Sequence, residues 1–254
     1  MKWNLIRTGV NTGKFNMDFD IKLIEQNLKD QIFLRFYQWE PYCISLGFNQ
    51  LIESIDVKKA NENGIQIVKR PTGGRAILHA EELTYSVVHP IDNLFSPRVL
   101  YREINLALKK GLEYYNPALQ NLVLEHNQPD FQSFYKENKS SLCFAVSAKS
   151  EINYKGKKLV GSAQRKIGKL VLQHGSILCG KFHLNLVDYL NVDNNERNKI
   201  LEEIENTTTE LSTILNEDID YNKLTGSLIK GFEGHFNFSF EDKPVNQLIN
   251  SYVN

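Results

Sequence analysis

Residues 69–79 read Lys-Arg-Pro-Thr-Gly-Gly-Arg-Ala-Ile-Leu-His, a stretch that concentrates groups suited to holding a ligand. Arg70 and Arg75 flank a rigid Pro71-Thr72 step and the pair Gly73-Gly74. Glycine accepts positive φ and has no Cβ, so backbone N–H groups there can approach a bound group closely. With guanidinium groups on either side, the loop suits an anionic or carbonyl-rich ligand. The plainer reading is a Gly-Gly turn between two strands with solvated arginines. A second candidate, Lys158, lies in a strand-like run over 157–163. Side chains alternate along a strand, so Lys158, Val160 and Ser162 share one face, and Lys157, Leu159 and Gly161 share the other. One of the two adjacent lysines therefore faces inward, unless it is an edge cation that discourages aggregation.

The remaining chemistry-bearing residues narrow the classes. Cys43, Cys143 and Cys179 are odd in number and far apart, which argues against a disulfide framework. They also lack zinc-site spacing, and taken alone each reads as a small buried hydrophobe. No cluster of His, Asp or Glu has metal-ligand spacing, so no metal is expected. Gly161-Ser162-Ala163 lacks the Gly-x-Ser-x-Gly frame of a nucleophile elbow. His174 reads as a hydrogen-bonded organiser of neighbouring strands, and His79 as a pocket-lining or structural histidine. Thirty basic and thirty acidic residues give a formal net charge of zero, so the global basic field of a nucleic-acid binder is missing. No apolar run is long enough to span a bilayer and the N-terminus lacks a signal peptide's apolar core, which leads to a cytoplasmic expectation with no membrane partner.

The elements that must position these groups are short strands and helices in alternation. Met17, Ile21, Ile24 and Leu28 recur at helical spacing and predict an amphipathic helix over 18–28. Residues 32–37, 43–47 and 65–68 read as strands, the last leading into the Gly-Gly loop. Leu83, Tyr85 and Val87 alternate with Thr84 and Ser86, which predicts a strand with one buried face. Leu100, Ile104, Leu108, Gly111 and Tyr115 mark a helix of about five turns. Residues 116–140 carry little periodicity and read as a loop. A hairpin follows, with strands near 150–154 and 157–163 around a Lys155-Gly156 turn, then a strand over 169–174. The last sixty residues look mainly helical and polar.

These segments, in this order, resemble the lipoate–protein ligase, octanoyltransferase and biotin–protein ligase superfamily. The likeness is carried by Phe15–Asp20, Phe33–Pro41 with Ser45-Leu46-Gly47, the 69–79 loop, Glu82–Val88, Gly156–Gln164 and Leu172–Leu178. It covers roughly residues 1–190. It implies an α+β fold: one domain over 1–254, a mixed sheet packed with helices, motif-bearing to about 190 and helical over 191–254. It implies substrate-binding roles for Arg70, Thr72, Gly73, Gly74, Arg75, His79, Gly161, Ser162 and Ala163. Lys69 stands where the family commonly has arginine, which keeps the charge and loses bidentate hydrogen bonding.

The superfamily divides between ATP-dependent ligases and transferases that pass a ready-made acyl group through a cysteine. Cys143, in Ser-Leu-Cys-Phe-Ala-Val-Ser, sits where one octanoyltransferase branch carries its nucleophile. Lys158 matches the family's pocket-facing lysine, whose ammonium would favour the thiolate and stabilise charge on the thioester carbonyl. The resemblance therefore implies transfer of octanoyl from acyl carrier protein to a lysine of a lipoyl-accepting domain, such as the glycine-cleavage H protein, with no cofactor; the sequence itself does not set the oligomeric state, and a monomer is the default expectation. The alternatives are an ATP- and Mg-dependent lipoate ligase, octanoyl transfer between carrier domains, and a non-enzymatic acyl- or carrier-binding module. In a two-residue hairpin Asn153 pairs with Lys158, which leaves Cys143 ten residues further along, about 33 Å if extended. Bringing the two together requires a bend near Ser147-Ala148-Lys149, with Val146 where the family often has proline. Lys155, Lys157, Arg165, Lys166 and Lys169 are expected to form one basic docking patch around the hairpin for an acidic carrier.

Overall fold

The computed structural model describes residues 2–25, 31–125 and 151–240. Among the described residues ten strands divide into two sheets. The larger sheet contains β1 (Lys2–Asn11), β2 (Gln31–Trp39), β6 (Glu82–Pro90), β7 (Val123–Leu124), β8 (Ile152–Tyr154), β9 (Lys157–Ile167) and β10 (Leu170–Leu178), in the order β1-β2-β6-β10-β9-β8-β7. Only its β1–β2 pair is parallel. The smaller sheet is β4 (Gln66–Lys69), β3 (Cys43–Leu46) and β5 (Ile77–His79), with β3 central, parallel to β4 and antiparallel to β5.

Strand alternation explains how the large sheet is covered. Ile32, Leu34 and Phe36 of β2 and Leu83, Tyr85 and Val87 of β6 face one way. They pack on α3 (Pro97–Tyr115) and on Leu224, Leu228 and Phe232 of the C-terminal helix, Tyr221–Phe236. Ser96 caps α3, accepting a hydrogen bond from the Val99 amide, and Pro97 occupies the first turn, where a missing N–H costs nothing. On the opposite face Phe33, Val88 and Leu172 pack against Phe19, Leu23 and Ile24 of α1 (Gly13–Glu25). A third apolar cluster joins the small sheet to α2 (Val57–Glu62), a 3₁₀ segment Lys181–Tyr189 and Ile200 and Ile204 of α4 (Asn194–Thr207). Two further helices, α5 (Leu211–Leu215) and the Tyr221–Phe236 helix, here α6, complete the helical C-terminal part.

Three expectations are corrected. The first helix begins at Gly13 rather than 18, and Ile21 lies on its exposed side. Its buried face carries Asn16 and Asp20 beside Met17 and Leu23, and those polar residues hid the true face from a hydrophobicity pattern. Strand β6 is buried on both faces, because Thr84 and Ser86 lie under polar partners instead of water. Within the segment expected to be a loop, Pro117–Asn121 form a 3₁₀ turn and β7 adds an outer strand. The hairpin stands as expected: Lys155 and Gly156 both have positive φ, the turn that matches strand twist, and Asn153 pairs with Lys158.

Candidate active site

A cavity of about 390 Å³ opens between the two sheets. Its floor is the α1-facing side of the large sheet, where Tyr37, Thr84, His174 and Ser176 replace the aliphatic residues of an ordinary core. Its roof is the small sheet and the loop that follows β4. Tyr101 of α3 and residues of β9 close one side.

The Gly-Gly loop is held from within by one side chain. Buried Arg70 donates from Nη1 to the Ser45 carbonyl (2.8 Å) and from Nη2 to the carbonyls of Gly73 (2.9 Å) and Arg75 (2.6 Å). A guanidinium suits this task because its donors are fixed in a planar fork. Gly74 has φ +97°, a conformation unfavourable for any residue with a Cβ. Gly47 passes so close that a Cβ there would collide with the Gly74 carbonyl, while a Cβ on Gly73 would meet nothing within 4 Å. The Phe48 amide donates to the Thr72 carbonyl at 2.8 Å and completes the brace.

Beneath the loop lies a buried polar network. The His79 ring stacks on Trp39 with centroids 4.0 Å apart. Its Nδ1 lies 2.8 Å from Glu82 Oε1 and its Nε2 2.7 Å from Ser45 Oγ. The hydroxyls of Thr84 and Ser176 also donate to Glu82 Oε1, and Trp39 Nε1 donates to Thr84 Oγ1. His174 joins loop to sheet, with Nε2 2.6 Å from Thr72 Oγ1 and Nδ1 3.6 Å from Asp20 Oδ2. Burial lowers the His174 pKa despite the nearby Asp20 carboxylate. Burial alone would raise the Asp20 carboxyl, but Arg35 and His174 hold it below its ordinary value.

Lys158 occupies the β9 side of the cavity. It is 2% exposed, and its Nζ lies 2.9 Å from Oε2 of the equally buried Glu151. Its backbone is fixed on both flanks, by Asn153 of β8 on one and by the Thr209 amide, which donates to its carbonyl at 3.0 Å, on the other. The edge-strand reading of this lysine is therefore excluded. Lys157 points away and donates to the Glu205 carbonyl. Ser162 exchanges a hydrogen bond with Tyr85 (2.7 Å) and donates to Asn105 Oδ1 (3.2 Å).

Of the residues singled out from sequence, Arg70, Gly73, Gly74, His79, Lys158, Gly161, Ser162 and Ala163 meet at this one cavity. Thr72 and Arg75 do not line it. Thr72 spends its hydroxyl on His174, and Arg75 borders a separate hollow with Asn49, Gln50 and Gly74. Cys143 and the bend at 147–149 lie outside the described residues. Cys43 and Cys179 are buried, which pushes both thiols up to about 12. Lys69 is exposed at the end of β4. The single basic patch is corrected: Lys155 and Lys157 sit at the hairpin turn, while Arg165, Lys166 and Lys169 lie at the far end of β9. Nine strand steps from Lys157 to Lys166 amount to roughly 30 Å. Arg165 is occupied there, stacked 4.0 Å over the Phe48 ring and donating to the Pro71 carbonyl.

Sequence reasoning missed Glu151, Trp39 and Tyr101. For Glu151 a signal existed: it lies two residues before Asn153, hence diagonal to Lys158 across the hairpin.

Residues 12–233 match the profile of the lipoyl protein ligase A/B catalytic domain. The chain belongs to that family. Among curated relatives, the octanoyltransferase LipM of Staphylococcus aureus is 33% identical over 251 residues, spanning 96% of this chain and 89% of that protein. The octanoyltransferase LipM of Clostridioides difficile is 33% identical over 270 residues, spanning 100% and 97%. Among solved structures, the bipartite lipoate protein ligase of Thermoplasma acidophilum superposes with a TM-score of 0.76 at 20% identity, covering 100% of this chain and 94% of that one. Lipoate-protein ligase A bound with ATP gives 0.72 at 20% identity, covering 100% and 97%. These likenesses establish the α+β fold expected for the family.

Proposed function

We propose that this chain is an octanoyltransferase of lipoate biosynthesis, moving an octanoyl group from acyl carrier protein through Cys143 to a lysine of a lipoyl-accepting domain. The observation that carries this reading is the buried Lys158 ammonium on the wall of a cavity of small-ligand size, opposite a braced Gly-Gly loop. The names of relatives that match nearly the whole chain support the transferase over the ligase. In the first half-reaction the Cys143 thiolate attacks the thioester carbonyl; a new C–S bond forms, the C–S bond to the carrier breaks, and the carrier's sulfur leaves as a thiolate. In the second, the amine of the acceptor lysine attacks the acyl-enzyme. An amide forms, the Cys143 sulfur leaves, and the amine's proton passes to it. Lys158 lowers the cost of the anion in both steps, as thiolate partner and as a donor to the developing oxyanion.

Intact-mass measurement after mixing the protein with octanoyl–acyl carrier protein tests the proposal. An octanoyl adduct that disappears in Cys143→Ala is expected, as is its transfer to an acceptor domain without ATP. Modification of the acceptor only with ATP and free acid would establish the ligase instead. Acceptance of octanoyl from a modified carrier domain but not from acyl carrier protein would place the chain between carriers.

A further inference from the structure

Among the described residues lining the cavity, Glu151 is the single carboxylate, and it faces the single lysine. Its Oε2 lies 2.9 Å from Lys158 Nζ, while Oε1 lies 3.4 Å from the Ser162 amide nitrogen. The carboxylate thus touches β9 at two points, Lys158 and Ser162, within the stretch that borders the cavity. Its own backbone is anchored, because its carbonyl accepts the Glu125 amide at 2.8 Å. Burying two charges costs several kcal/mol per ion before their attraction is counted, so such a pair is a poor device for stability alone. It is a good device for aim. A lysine ends in a point charge on a flexible four-carbon stem, and nothing in the stem fixes where the ammonium sits. A carboxylate held at a second point of the same strand does fix it.

We propose that Glu151 is a positioning residue, which holds the Lys158 ammonium aimed on the cavity wall. The inference rests on the acyl-transfer reading above. Glu151 acts through Lys158 and not on the acyl group itself, so its contribution vanishes when the lysine is gone.

The test is a double-mutant cycle in the full-length chain, reading kcat and KM for transfer from octanoyl–acyl carrier protein. Glu151→Gln keeps the side chain's length but removes its charge and leaves one acceptor oxygen where the carboxylate has two. It should lower kcat by at least about fivefold, within the range of couplings measured between contacting charged residues, and leave the donor KM unchanged. Glu151→Asp should recover part of the loss, and serves for the comparison if thermal unfolding shows the glutamine variant to be misfolded. In a Lys158→Gln background, Glu151→Gln should cause no further loss. A Glu151→Gln variant as fast as the parent, or a loss that multiplies that of Lys158→Gln, overturns the inference while the acyl-transfer reading stands. A parent chain inert toward the octanoyl donor overturns both.

Discussion

Two buried ion pairs stand on the same large sheet, and they are built differently. Arg35 of β2 meets Asp20 of α1 at 2.8 Å with both side chains fully enclosed. Every guanidinium donor is used: Nη1 also reaches the Asn16 carbonyl, Nη2 reaches Asn16 Oδ1, and Nε and Nη2 share Thr8 Oγ1. The Tyr37 and Phe19 rings lie against it, at 3.9 and 4.6 Å. Lys158 and Glu151, three strands away, are nearly as buried, yet both line the cavity. A planar fork with five fixed donors suits a closed knot that pins a helix to a sheet. A single rotatable ammonium suits the wall of a cavity, where the proposed reaction would develop a substrate's charge. The difference teaches that burial of an ion pair does not announce function; the direction it faces does.

The comparison breaks most visibly at Arg35. Replacing it by methionine leaves the Asp20 carboxylate unpaired in the interior and should cost about 3–5 kcal/mol, read as a lowered midpoint in urea unfolding. Turnover per folded molecule should persist, because Arg35 does not touch the cavity. Lys158→Gln should do the reverse for chemistry, lowering kcat by roughly 10²- to 10³-fold, the effect of losing one preorganised donor to a developing oxyanion. Equal activity losses in both variants, measured on protein confirmed as folded, would erase the distinction between the pairs.

The cavity's opposite wall gives the next effect. Gly74→Val must hold a branched side chain at φ +97°, a strain of about 1–3 kcal/mol. Relief of that strain is expected to shift Gly73 and Gly74 relative to the cavity. Octanoyl transfer should therefore be lost while the melting temperature drops only modestly. Normal transfer by this variant would show the loop to be an ordinary turn.

Much of this arrangement was legible in the chain. The Lys155-Gly156 turn fixed a hairpin register that pairs Asn153 with Lys158, and the apolar residues at Leu100, Ile104 and Leu108 marked α3 over nearly its full length. What stayed hidden was polar and long-range. Asp20 and Asn16 lie on a buried helix face because Arg35, on a strand that follows in sequence, supplies their partners, and no local pattern contains that fact. Thr84 and Ser86 looked solvent-facing for the same reason. The basic residues of 155–169 looked clustered because sequence proximity conceals the length of an eleven-residue strand.

A smaller effect follows from titration. His89, His174 and His183 all have lowered pKa values, in each case chiefly through burial. Their folded pKa values lie below the unfolded value of about 6.5, so below that pH the unfolded chain binds more protons than the folded one. The melting temperature should fall as pH drops from 7 toward 5. At lower pH, protonation of Asp20 should remove a further increment, because its folded pKa is also depressed and its contribution is lost only as pH falls through that value. His174→Gln should flatten the first part of this profile and weaken the acid part, because His174 is one of the two groups that hold the Asp20 carboxyl down. An unchanged slope between pH 7 and 5 would mean that the link from Thr72 through His174 to Asp20 carries no protonation cost.

The mildest perturbation separates the three thiols. Cys43 and Cys179 are buried, with thiols pushed up to about 12, so at pH 8 fewer than roughly one molecule in a thousand carries either thiolate. The thiolate is the species that reacts, and here it is both scarce and enclosed. Brief treatment of the native protein with iodoacetamide at pH 8 should therefore leave both cysteines unmodified, while treatment in denaturant should label all three. If Cys143 meets the Lys158 ammonium as proposed, it should be labelled first in the native state, and more slowly in Lys158→Gln, where the thiolate loses its counter-charge. Peptide mapping reads the three sites separately. Rapid native labelling of Cys43 or Cys179 would contradict their enclosure, and a Cys143 rate indifferent to Lys158→Gln would separate the thiol from the lysine-bearing wall.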